Sequence, residues 1–243
     1  MKYYILLFIL GVLVSCKKEE IEIIEEESAP TGKLWMHFHS TFGNIDIENL
    51  NQIYTNNQGK SVSFEKADLI ISEVELIKLN DESIVVKNIL LKTIGQESYL
   101  IGDVPVGNYK TVKFKFGVSA NSNNQISDTS MWINPLNEAE GYWFLNTKGS
   151  IDTSSNNSNQ FANFTYKIGG IENIQSINLP DNNFPVYEGI ISYVHLNANY
   201  LELFRNLDLT NSTNLSLVLK DYQATNIAID INSKISSSFF SYE

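Results

Sequence analysis

Apolar and polar positions alternate along much of the chain, and the clearest run covers residues 109–118. There Val112, Phe114, Phe116 and Val118 interleave with Thr111, Lys113, Lys115 and Gly117, the two-residue period of a strand with one wet face. Leu215, Leu217 and Leu219 repeat the pattern against Asn214, Ser216 and Val218. Leu34, Met36 and Phe38 do so against Trp35, His37 and His39. Between such runs lie stretches rich in Asn and Ser, 120–130 and 150–160, whose side chains bond local backbone and favour loops. Helical periodicity is confined to a turn or two near 199–204 and 221–231. Short strands separated by turn signals predict an all-β fold, an antiparallel β-sandwich with at most a few short helical turns. No internal repeat is visible.

The amino end breaks the pattern. One charge, Lys2, precedes an apolar run over 3–14, then Ser15 and Cys16, which is the only cysteine of the 243 residues. A membrane span needs about 20 apolar residues, and here charge returns at Lys17. The segment is therefore expected to be a secretory signal. Leu13-Val14-Ser15-Cys16 resembles a bacterial lipobox, which implies cleavage before Cys16 and palmitate-type acyl chains attached there. The expected division is a lipoprotein signal peptide at 1–15, a lipidated acidic tether at 16–31 and a β-sandwich domain at 32–243. Lys17-Lys18-Glu19-Glu20 resembles an export motif that carries lipoproteins across the outer membrane. That favours the cell surface, with the periplasmic leaflet as the alternative.

Composition narrows the chemistry. A net charge of −11 repels phosphate backbones, so nucleic acid is excluded as a partner. With its one cysteine in the lipobox, the body has no thiol for a zinc ribbon or for catalysis, leaving His, Met, carboxylate and amide groups as metal ligands. No phosphate loop, His-Glu-x-x-His or Gly-x-Ser-x-Gly occurs, and with three histidines in all the chain is expected to be a binding protein rather than an enzyme. His37 and His39 lie two apart on one strand face beside Trp35, and two such imidazoles can grip one ion. His195, on another alternating strand, can supply a third nitrogen suited to copper. The simpler reading leaves these histidines unpartnered on the solvent side, opposite Leu34, Met36 and Phe38. Met131 offers either a thioether or packing beside Trp132. The run Tyr142-Trp143-Phe144 is expected to place one ring in the core and another outward, and exposed rings with asparagine amides provide a basis for sugar recognition.

One ordered series joins these segments. It runs through Tyr54 to Gly59, Leu69 to Leu76, Val104-Pro105-Val106-Gly107-Asn108-Tyr109, Met131-Trp132, Gly141-Tyr142-Trp143 and Phe164-Thr165-Tyr166-Lys167-Ile168-Gly169-Gly170. The series resembles the MbnP-like family, exported β-rich proteins named after the copper-binding partner of methanobactin operons. The resemblance implies a β-sandwich, export, and a copper site made of histidines with a tryptophan that a di-haem peroxidase-like partner oxidises. Trp132 fits the first tryptophan slot of that motif. Elsewhere the site departs from the family pattern. Ser40 stands where relatives carry a histidine after Phe38, Lys167 replaces the histidine of Tyr-His-Ile-Gly-Gly, and Ser119 replaces an aspartate. A retained scaffold with an altered pocket is expected. The functional expectation is a membrane-anchored lipoprotein taking copper, with a non-metal glycan- or protein-binding module as the alternative.

Overall fold

The structure is a computed structural model describing residues 29–118, 126–221 and 225–243. The segments expected to be a signal peptide and a tether lie outside the described residues up to residue 28, Cys16 among them, as does Ser119. The strands are β1 (Thr31–Phe42), β2 (Ile45–Asp46), β3 (Ile53–Thr55), β4 (Ser61–Lys78), β5 (Ser83–Lys92), β6 (Ser98–Pro105) and β7 (Gly107–Phe116). They continue with β8 (Trp143–Asp152), β9 (Phe161–Gly169), β10 (Gln175–Asn178), β11 (Phe184–Val186), β12 (Ile191–Asn199), β13 (Ser216–Leu219) and β14 (Phe240–Tyr242). Among the described residues one α-helix, α1 (Asn226–Lys234), runs into a π turn at Ile235–Phe239, and short 3-10 turns join other strands. No helix among the described residues is long and apolar enough to cross a membrane.

Two sheets form the sandwich. The first runs β14-β12-β1-β2, with β6 beside the first half of β1; the second runs β10-β7-β4-β8-β9-β13, with β11, β3 and β5 flanking. Period-two patterning explains the shared core: Leu34, Met36 and Phe38 of β1 and Val112, Phe114 and Phe116 of β7 are all buried. Aromatic rings knit the layers together, with Phe64 edge-on to Phe164 at 5.7 Å and to Tyr200 at 5.3 Å. The Tyr200 hydroxyl is satisfied by donating to the Ala67 carbonyl at 3.1 Å.

The all-β sandwich agrees with the sequence pattern, with three local differences. Two pairings are parallel rather than antiparallel, β1 with β12 and β9 with β13, because these partners are far apart in the chain and meet through long connections. β8 extends through Asp152 into the expected loop at 150–160. It can do so because Gly149 lets the Ser63 carbonyl of β4 approach to where a Cβ would lie, 2.0 Å away. The rest of that loop is organised by the buried Asp152 carboxylate, which accepts from Ser154, Asn159 and Gln160 backbone N–H groups. The turn expected near 221–231 becomes a nine-residue helix, with Thr225 accepting from the Ala228 N–H at its start.

Phe64 is fully buried against the rings of Phe42, Phe164 and Tyr200, so Phe64→Ala is expected to cost about 3–5 kcal/mol in urea unfolding. Leu79→Ala, at a residue 59 % exposed, is expected to change stability by less than about 0.5 kcal/mol.

Candidate metal centre

Strand register builds the site. β1 turns Trp35, His37 and His39 to the outer face of the first sheet, and β12 runs parallel beside it with His195 directly opposite His37. On the other edge of β1, β6 pairs Ser98 with His37, which brings the preceding Glu97 alongside, and β2 brings Asp46. β14 pairs with β12 and leads into Glu243, whose N–H continues the ladder to the His195 carbonyl.

One ligand atom from each of His37, His39 and His195 lies within 4.8 Å of the others. His37 Nδ1 faces His195 Nδ1 at 3.3 Å, and the His37 and His39 rings sit 4.3 Å apart. Three carboxylates surround them. Glu97 stands 3.3 Å from His37 Nε2 and 3.9 Å from His39 Nδ1. Glu243 stands 3.1 Å from His195 Nδ1 and 3.4 Å from His39 Nε2, and Asp46 3.8 Å from His39 Nδ1. The side chains range from half exposed at His195 (48 %) through His37 (28 %) to nearly enclosed at His39 (13 %). The expectation of unpartnered solvent-side histidines is therefore corrected: the face is the outer one, but neighbouring strands crowd it with imidazoles and carboxylates.

The chemistry of this set fits a metal ion. Both ring nitrogens of His39 are buried without a hydrogen-bond partner, and so is Trp35 Nε1. Leaving a buried polar atom unpaired costs about 1–3 kcal/mol, and such atoms call for an explanation such as an ion. The donors are nitrogen and oxygen, since Met36 points into the core.

Glu97 is held in place by buried neighbours. The Lys92 ammonium, on a residue 1 % exposed, donates to the Thr93 and Gln96 carbonyls at 2.8 and 2.9 Å. The Tyr99 hydroxyl donates to the Gln96 carbonyl and accepts the Thr93 N–H. Phe38, between the two β1 histidines, donates its N–H to the Glu97 carbonyl at 2.7 Å. Burial pushes the Lys92 ammonium down to about 8, against the pull of Glu97 and Asp68.

Other expected site positions lie elsewhere. Trp132 belongs to the connection between β7 and β8, bridges to Tyr142 and donates Nε1 to the Ile126 carbonyl at 3.0 Å. It is not brought together with the histidines. Ser40 faces the core, and the Lys167 ammonium sits 5.5 Å over the Trp143 ring on the second sheet. Met131 is fully buried, so packing is its observed role. Tyr142, Trp143 and Phe144 are all buried, correcting the expectation of an outward ring. The reason is that the β7–β8 connection, with Ile126 and Met131 also in the core cluster, covers the outer side of the sheet there. Glu97, Glu243 and Asp46 escaped sequence reasoning because nothing but tertiary pairing places them near the histidines.

A two-layer sandwich carrying a histidine cluster on an outer sheet face defines the class. The chain belongs to the MbnP family, whose profile, described as MbnP, matches residues 31–221. Among solved structures, MbnP from Methylosinus trichosporium is similar with a TM-score of 0.47 and 10 % identity, over 72 % of this chain and 78 % of that one. No curated protein matches.

The depressed Lys92 pKa sets a pH dependence. An unfolded lysine holds its proton up to about 10.4, so between pH 8 and 10 the unfolded chain binds more protons and stability rises with pH. The slope is at most about 1.4 kcal/mol per pH unit. Above pH 10 the effect reverses, because burial pushes Tyr99 up to about 12 while unfolded tyrosines ionise first. Urea unfolding should show the rise in the native chain and its loss in Lys92→Met.

Proposed function

We propose that this chain is a lipid-anchored metal-binding protein that takes copper at His37, His39 and His195. The observation that carries this reading is the convergence of three imidazoles from two strands, with both nitrogens of His39 buried without a hydrogen bond and faced by carboxylates at 3.4 to 3.9 Å. Membership of the MbnP family supports copper as the ion. The imidazoles would hold it, and copper bound there supplies a captured cargo rather than a reaction centre. Among first-row divalent ions, imidazole sites bind copper most tightly. The reading is of a binding protein rather than a catalyst. Binding at the three imidazoles requires neither Trp132 nor a di-haem partner that oxidises it.

Localisation follows from the lipobox. Acylation of Cys16 anchors the mature chain in the outer membrane, and the Lys-then-acidic stretch after it favours the cell surface over the periplasmic leaflet. A single acyl chain binds only marginally, whereas several acyl chains on one cysteine anchor stably.

Two measurements test these claims. The protein purified in detergent should bind one copper ion per chain in a chelator-controlled titration, and the His37→Ala/His39→Ala double variant should lose it. Absence of stoichiometric binding in the native protein would overturn the copper reading. Growth with radioactive palmitate should label the native protein and leave Cys16→Ala unlabelled and released from membranes.

A further inference from the structure

The three imidazoles leave open how the centre is completed, and the carboxylates around them are not equivalent. Glu243 Oε2 lies 3.1 Å from His195 Nδ1 and 3.4 Å from His39 Nε2, and His195 Nδ1 lies 3.3 Å from His37 Nδ1. These four atoms therefore form a chain of contacts linking three imidazoles and one carboxylate. For metal–ligand bonds of about 2.0–2.1 Å, the edges of a tetrahedron are about 3.3–3.4 Å. The three observed spacings match such edges, and one ligand atom from each imidazole lies within 4.8 Å of the others.

Glu97 occupies a different place. It meets His37 at Nε2, the nitrogen turned away from His195. A carboxylate there accepts the Nε2 proton, fixes the tautomer and leaves the Nδ1 lone pair directed at the cluster. Its hold on the loop through Lys92, Tyr99 and the Phe38 N–H makes it a rigid orienter. Glu243 comes from the residue after β14, with its side chain 56 % exposed, so it can close over the ion from the solvent side.

We propose that Glu243 is the fourth donor of a tetrahedral centre of three imidazoles and one carboxylate, with Glu97 as the outer carboxylate that orients His37. The set is all nitrogen and oxygen with one negative charge, which favours a divalent first-row ion over cuprous copper, whose preferred partners are thiolate and thioether. This rests on the reading of His37, His39 and His195 as metal ligands.

Cobalt(II) is a suitable probe, because its visible d–d absorption is intense in four-coordinate sites and pale in six-coordinate ones. The full chain purified in detergent should take up one cobalt ion with the intense absorption, and cupric or zinc ions should displace it. Glu243→Gln should change the band envelope, and Glu243→Asp should restore part of it. Glu97→Gln should keep the envelope while weakening affinity by about 10- to 100-fold. Circular dichroism of each variant checks that the sandwich is intact. An unchanged spectrum and affinity in Glu243→Gln would remove Glu243 from the centre and leave the three-imidazole reading standing. A pale spectrum in the native protein would refute the tetrahedral assignment. If the native protein bound no divalent ion at all, the metal reading itself would fall along with this one.

Discussion

The parallel pairing of β1 with β12 is the constraint on which the rest of the site depends. Its register sets His37 against His195, and because side chains alternate, a slip of one residue would send His195 into the core and Leu196 to the surface. The slip is prevented by the apolar face. Leu34, Met36 and Phe38 on one strand and Val194, Leu196 and Ala198 on the other are buried together, so the hydrophobic core pays for the alignment of the polar cluster. Position along the strands and side-chain chemistry are thus decided by different faces of the same two segments.

A second feature follows from crowding polar groups on a sheet face. His39 is nearly enclosed and its nitrogens lack hydrogen bonds, an unfavourable arrangement unless something else meets them. Around it the structure invests in rigidity: a buried ammonium at Lys92, a buried phenol at Tyr99 and a backbone bond from Phe38 all converge on the short loop bearing Glu97. Burying an ammonium is costly, and Lys92 offsets that cost by donating to two carbonyls of this loop. The outcome is a preorganised carboxylate beside an under-satisfied imidazole.

Other positions that the sequence singled out are scattered: Ser40 faces the core of the first sheet, whereas Lys167 lies on the second sheet over Trp143. Trp132 is tied into the connection that covers that second sheet. The histidine cluster is on the outer face of the first sheet instead. Elsewhere the Tyr109 hydroxyl donates to the Pro105 carbonyl at 2.6 Å, and Gly170 admits the Lys220 carbonyl at positive φ.

Alternation along 34–39 and 109–118 was sufficient to read strands, their buried faces and hence a sandwich, because the two-residue period is a local property of the chain. The same period put His37 and His39 on one face. Sequence could nominate His195 but not seat it, and it gave no sign of Glu97, Glu243 or Asp46, which lie up to 206 positions from His37 in the chain. It also put one of the Tyr142, Trp143 and Phe144 rings outside, since a covering connection leaves no local signature. Which strands neighbour one another, in what register and direction, is settled by burying the whole apolar surface at once. That global condition brought three imidazoles and their carboxylates into one place.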